Sequence, residues 1–344
     1  MRLQQIDVIR GLAALSVAAS HVSQSVSDTF LSALLRAWDV VFATTFWANQ
    51  GLHPGVVVFI VLSGFCIHLP VAGRPGLPDA AGFWKVYCKR RAIRIGPVFL
   101  LGCLLGALAT GSLNIAASTS AIVAGAFAPI GFVPGNHILD TVIVEAWLYV
   151  TYPFTLGIYR RFGARALLAI AALIHMLPVA FVLAGADPVW AQRSWYAFYL
   201  YWVIGVLAVE AFVGQKHLSL GWTGAAFVLY IALSTTIHLK GSHYPKSLLL
   251  AVCAAMLLVS WRGKNRFPRM WLMLGEASYS LYVVHFPIIL LWVATIGTRG
   301  PSNQVLLILS IAAAATLAFV FVERPAHRLA QSFRISGLKP SDSP

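Results

Sequence analysis

The sequence predicts an all-α fold, a polytopic bundle of transmembrane helices, and three observations carry that prediction. Of the 344 residues, 59% are hydrophobic and only 10% charged, with a mean hydropathy of +0.79, too little polar surface to coat a water-soluble globule. The apolar residues gather into ten segments, each near the roughly 20 residues that a spanning helix needs. The basic residues concentrate in the connections on one side of these segments, and the net charge is +14.

The segments lie near residues 6–26, 52–72, 92–110, 138–159, 164–185, 195–213, 220–238, 245–261, 272–297 and 303–322. The first lacks a small-residue cleavage site and contains Arg10, so it reads as a retained span and not as a removed signal peptide. Residues 115–133 are softer, broken by Ser, Thr, Gly and Pro129. The excess of Lys and Arg in cytoplasmic loops arbitrates. If 115–133 does not cross and the N-terminus is inside, all but five of the 25 basic residues are cytoplasmic; the five are Arg36, Arg193, Lys240, Lys246 and Arg299. If it crosses, the basic residues divide almost evenly between the two sides.

The expectation is therefore about ten spans with both termini cytoplasmic, and residues 111–137 re-entrant or lying on the outer surface. Residues 1–330 form one transmembrane domain and 331–344 a short polar cytoplasmic tail. The positive charge follows from this topology and from anionic cytoplasmic lipid, so nucleic acid is not implied as a partner. Cys66, Cys88, Cys103 and Cys253 show no metal-type spacing and read as packing thiols. Trp47, Trp84, Trp190, Trp195 and Trp261 lie near span ends, as interfacial belts do. No internal repeat is visible.

Ionisable residues inside apolar segments cost several kcal/mol and are functional candidates by default. The first span holds Asp7, Arg10 and His21. Arg10 and His21 are eleven residues apart, about 16 Å along a helix, and therefore share one face. Lys85, Lys89, Arg90, Arg91 and Arg94 flank the start of the third span, either as topology anchors or, with Arg10, as a cluster suited to phosphates, where guanidinium pairs bidentately. His21 is expected about 8 Å below the outer boundary and Glu145, on a helix running inward, about 10 Å below it, so the two are expected to meet. Asp7, one turn from Arg10, is placed either with His21 or in a local ion pair. His53, His68, His137, His175, His217, His238, His243 and His327 lack a metal-binding spacing, and no metal is expected.

These residues also carry a resemblance. Ile6-Asp7-Val8-Ile9-Arg10-Gly11-Leu12-Ala13-Ala14, with His21 following, resembles the opening signature of the acyltransferase 3 family of integral membrane O-acyltransferases. Phe59-Ile60-Val61-Leu62-Ser63-Gly64-Phe65 is similar to that family's Leu-Ser-Gly-Phe element, and Arg91 with Arg94 to its Arg-x-x-Arg pair. Glu145, followed by Tyr149 and Pro153, resembles the acidic span. Gly275-Glu276-Ala277-Ser278-Tyr279 with His285 and Pro287 resembles the late Gly-x-x-Ser-Tyr element, and Glu323-Arg324-Pro325 the closing Glu-x-Pro. Six elements in the family's order are more specific than any one of them. One departure is Asp140, where the family usually has tryptophan five residues before its acid, a change that bears on the acceptor site.

The resemblance implies transfer of an acyl group, most often acetyl, from cytosolic acyl-CoA to a hydroxyl of an envelope or exported carbohydrate, in the cytoplasmic (inner) membrane. Acetyl-CoA is then a donor substrate, with no permanently bound cofactor. A stand-alone member without an extracellular esterase-like domain is expected. His21 is the candidate general base or acyl relay, oriented by Glu145 or Asp7. Arg10, Arg91 and Arg94, with Arg90 and Lys89, are the candidate donor-binding cations. Ser63 lines the donor channel or, with Gly64, makes a close helix contact. His285, Tyr279 and Asp140 are candidate acceptor-site residues, although Ser278 and Tyr279 also read as hydroxyls bonded to backbone. Two alternatives stand beside this one: a transporter or flippase of a polar envelope precursor, and a transferase of another acyl group such as succinyl. Paired broken helices, which transporters often carry, are not visible. Oligomeric state is not written in the sequence.

Overall fold

The structure, a computed structural model, describes residues 3–26, 33, 34, 37, 53–74, 80–112, 133, 135–185, 194–216, 218–236, 243–261 and 266–333. Expectations for residues 113–132, Trp47, Trp190, His217, His238 and the tail from 334 lie outside these. Among the described residues every regular element is helical. In chain order they are α1 (Gln4–Ser25), α2 (Pro54–His68), α3 (Ala80–Thr110), α4 (Leu139–His175), α5 (Leu177–Leu183), α6 (Trp195–Val213), α7 (Leu220–Thr236), α8 (His243–Ser260), α9 (Arg269–Glu276), α10 (Ser278–Thr295), α11 (Pro301–Ala318), a π-helical turn (Phe319–Glu323) and α12 (Arg324–Ser332).

Among the described residues, six helices are long and apolar enough to cross a membrane, and three shorter apolar ones accompany them. One of the six, Leu139–Leu183, covers two of the expected spans, and the non-helical backbone of Gly163, at φ 80° and ψ 179°, kinks it between them. Helix length thus supports a membrane bundle but does not establish ten crossings. The outward faces agree with that environment: Leu104, Leu108, Phe154, Trp222, Val228, Leu309 and Phe321 project large apolar side chains away from the core.

α1 sits at the centre, packed by α2, α9 and α10, which is why it is buried on most of its circumference. Its partners approach closely because the contacts are glycines. A Cβ on Gly275 of α9 would stand 2.1 Å from the Asp7 carbonyl oxygen of α1. At the α2–α6 crossing the arrangement is reciprocal: a Cβ on Gly64 would lie 2.1 Å from the Trp202 carbonyl, and one on Gly205 2.0 Å from the Val61 carbonyl. Small residues let membrane helices touch backbone to backbone, replacing the hydrophobic drive that lipid does not supply.

Polar ties fix the remaining registers. His53 caps α2 through Nδ1, which accepts from the Gly55 N–H at 3.0 Å, with Pro54 at the first helical position. Asn136, fully buried, donates to the carbonyls of Gly102 and Val283 at 3.2 and 3.0 Å, joining the approach to α4 onto α3 and α10. Gly135 beside it has φ 71° and rests on the Gly106 backbone, a conformation and a gap that only glycine meets without strain. α9 and α10 break at Ala277, and Glu323 of the π-helical turn caps the fresh N-terminus of α10 from across the bundle. Its Oε2 accepts from the Ser280 N–H at 2.9 Å and from the Ser280 hydroxyl at 2.6 Å.

A histidine–carboxylate hydrogen bond holds the far end of α2. His68 Nε2 lies 2.6 Å from Glu210 Oε1 on α6, and His68 Nδ1 lies 2.9 Å from the Tyr152 hydroxyl on α4. Glu210→Ala strands an enclosed histidine, and a hydrogen bond to a charged group is worth about 1.5–3 kcal/mol. We expect a lower unfolding midpoint in detergent melts, and a midpoint equal to that of the native protein would refute the role.

Candidate active site

Two clusters occupy α1, one at Arg10 and one at His21. Around Arg10 lies a cavity of about 90 Å³ whose wall includes Ser63, Cys66, Arg91, Arg94, Glu145, Tyr149 and Tyr279. α1 supplies Arg10, α2 Ser63 and Cys66, α3 both Arg91 and Arg94 one turn apart, α4 Glu145 and Tyr149, and α10 Tyr279. Arg10 Nη2 stands 3.3 Å from Cys66 Sγ and feels the field of Asp7, one turn back. The Arg91 guanidinium lies over the rings of Tyr149 and Tyr87, at 5.0 and 5.8 Å from their centroids. Arg94 is close enough to Arg10 and Arg91 to be repelled by both. Three guanidiniums against one carboxylate leave the cavity with an excess of positive charge, which an anion relieves.

A second cavity of about 130 Å³ shares Arg91 and Arg94 and adds Arg90, Tyr87, His327 and Gln331. It lies beside the first, between α3 and α12. Lys89 is exposed and its ammonium lies 3.9 Å over the Phe333 ring at the end of α12.

At the other end of α1, His21 is 6% exposed and stands among aromatic rings. Its Nδ1 is 3.1 Å from His285 Nε2 on α10. The rings of His137 and Phe286 meet it edge-on at 5.8 and 5.5 Å, and His53 is near enough to interact electrostatically. α10 therefore serves both clusters, with Tyr279 at one and His285 at the other. Tyr282 bridges them, lining the cation cavity with its ring 6.1 Å from that of His285.

The sequence expectations sort accordingly. Arg10, Arg91, Arg94 and Ser63 come together around one cavity, with Arg90 lining the neighbouring one. Ser63 donates to the Tyr149 hydroxyl at 3.2 Å, and the close α2–α6 contact belongs to its neighbour Gly64. Glu145 does not meet His21 as expected: Tyr149, one turn on, donates a short hydrogen bond to it within the Arg10 cavity. The place beside His21 expected for Glu145 is taken by His137, just before α4. Glu145 comes eight residues later, about 12 Å further along the axis. Asp7 is not paired with His21 either, since fourteen helical residues put it about 21 Å away, beside Arg10.

Tyr279 donates to the Ile95 carbonyl at 3.1 Å while lining the cavity, and Asp140 accepts from the Val133 N–H at 3.2 Å. His285 is a neighbour of His21 and not a separate feature. The residues missed were His137, Glu210 and His327, together with the role of Tyr149, which lies one turn from Glu145 on α4. Glu210, a lone acid in an apolar span, carried the signal of every buried ionisable group; His137 and His327 owe their place to tertiary contact. The four cysteines are free thiols. Among the described residues no group of three His, Cys, Asp or Glu side chains is placed to hold a metal ion.

Comparison with known proteins adds one finding. No curated protein and no solved structure matches the chain. A family model described as an acyltransferase domain, of the acyltransferase 3 type, matches residues 3–323. That span takes in α1 with Arg10 and His21, the Arg91–Arg94 pair, Glu145, His285 and the closing Glu323, so the chain belongs to the acyltransferase 3 family of integral membrane proteins.

Proposed function

We propose that this membrane acyltransferase moves an acetyl group from cytosolic acetyl-CoA to a hydroxyl of an envelope or exported carbohydrate in the cytoplasmic membrane. The observation that carries the reading is the pairing on one helix of a cation-lined cavity at Arg10 with a buried imidazole at His21. The bias of basic residues puts the Arg10 end and both termini on the cytoplasmic side, where the nucleotide is found. Arg90 greets it from the neighbouring cavity and Arg10, Arg91 and Arg94 hold its phosphates, with Lys89 adding only to the surrounding field. The thioester arm then runs along α1 toward His21.

There His21 removes the proton of the acceptor hydroxyl as the oxygen attacks the thioester carbon. The tetrahedral adduct collapses, the C–S bond breaks, and the imidazolium returns its proton to the departing thiolate. The products are an ester and a free thiol. The same ring nitrogen serves an acyl-histidine relay, in which the acyl group is held on His21 until the acceptor arrives. Glu145 balances charge in the donor cavity through Tyr149, and Asp7 does the same for Arg10. Tyr279 holds α10 against α3 beside the thioester arm, and Asp140 shapes the approach to α4 near the acceptor.

Purified protein in detergent, given acetyl-CoA labelled in the acetyl group, is expected to bind it, release free thiol slowly and pass label to a saccharide acceptor. Absence of both binding and thiol release would favour a transporter instead. Label transfer from succinyl-CoA in preference to acetyl-CoA would assign a different acyl group. Arg94→Ala is expected to raise the donor KM by about 10- to 100-fold, the worth of one or two charge-assisted hydrogen bonds, with a smaller effect on kcat. An unchanged KM would remove Arg94 from the donor site.

A further inference from the structure

We infer that His285 is a positioning residue that sets the tautomer of His21, so that the lone pair of His21 resides on Nε2. This rests on the reading of His21 as the base. His285 is fully buried on α10, and each of its ring nitrogens has a partner. Nδ1 lies 3.0 Å from the Leu281 carbonyl oxygen. A carbonyl only accepts, so Nδ1 carries the hydrogen, and the neutral ring then has its lone pair on Nε2. That lone pair faces His21 Nδ1 at 3.1 Å. Two lone pairs do not hydrogen-bond, so His21 Nδ1 is the donor and its remaining nitrogen, Nε2, is the proton acceptor.

The consequence for the reaction is concrete. The hydroxyl proton goes to His21 Nε2, and the resulting imidazolium keeps Nδ1–H directed at a neutral acceptor, His285 Nε2. His285 neither gains nor loses a proton. It occupies the place that a carboxylate takes beside other catalytic imidazoles, where the wrong tautomer abolishes most of the rate. A neutral partner suits a site where the two other nearby ionisable groups are also imidazoles, His53 before α2 and His137 before α4. The Tyr282 ring keeps His285 in place from one turn back.

The test compares four full-length proteins by acetyl transfer across pH, with donor binding measured alongside. His285→Leu fills the volume without an acceptor, and His285→Gln keeps an amide oxygen near the Nε2 position. We expect His285→Leu to lose about 10- to 100-fold in kcat with donor binding intact, and its acid limb to move to lower pH, since the imidazolium of His21 loses an acceptor. We expect His285→Gln to recover most of that rate. Should His285→Leu not fold, His285→Asn takes its place: its amide reaches the Leu281 carbonyl but not His21, and it is expected to fall well below Gln. Equal rates for Gln and Leu, or for Gln and Asn, or an acid limb that does not move, would overturn the assignment. His21→Ala is the fourth protein. If it transfers acetyl at the native rate, the base reading fails, whereas a dead His21→Ala beside a fully active His285→Leu refutes the tautomer role alone.

Discussion

His21→Ala is expected to lower acyl transfer by about 10²- to 10⁴-fold, the usual worth of a general base, while the protein stays folded. His21 lies on the central helix, but its surroundings are other rings and not a tight helix contact, so truncation opens a small space without displacing α1. Its ring lies about 16 Å along α1 from Arg10, too far to touch phosphates held there. The loss should therefore fall on kcat. Rates of thiol release and label transfer, measured at saturating acetyl-CoA, check it. Retention of the native rate would leave the Arg10 cavity as a binding site without a base.

Gly205→Leu is expected to remove most of the folded protein. Its Cβ would sit 2.0 Å from the Val61 carbonyl, an unyielding backbone atom, so α2 and α6 must move apart. Overpacking ordinarily costs about 1–3 kcal/mol and more when backbone has to shift. α2 carries Ser63 and Cys66 into the cation cavity and His68 to its hydrogen bond with Glu210, so the damage does not stay local. Gly224 on α7 is the control, because a Cβ there meets nothing within 4 Å and Gly224→Ala should be neutral. Chromatographic yield and thermal midpoint distinguish the two, and a Gly205→Leu protein melting with the native one would mean that the α2–α6 contact is looser than described.

The helical bundle was legible because apolar run length is a property of sequence, and each expected span falls on a helix. Where expectation and structure part, the cause is backbone geometry. The Ala277 break divides one expected span into α9 and α10, whereas the kink at Gly163, φ 80°, falls between two expected spans. The cation cavity was legible because Arg10, Arg91 and Arg94 announce themselves as charges in apolar runs. Glu145 was misplaced because depth was counted from a hydropathy boundary, whereas His137, eight residues earlier, is the residue that meets His21. The partnership of His21 with His285 spans 264 residues, and no spacing rule reaches that far.

The most direct measurement is equilibrium binding of acetyl-CoA to the native protein, to His21→Ala and to an Arg91→Ala/Arg94→Ala double variant, each also assayed for transfer. If a guanidinium cavity holds the donor while a separate imidazole acts on the acceptor, His21→Ala binds acetyl-CoA as the native protein does and transfers almost none. The double variant then loses binding by at least about 10-fold, from two charge-assisted contacts. Undiminished binding by the double variant, or transfer by His21→Ala at the native rate, would contradict the division of labour along α1.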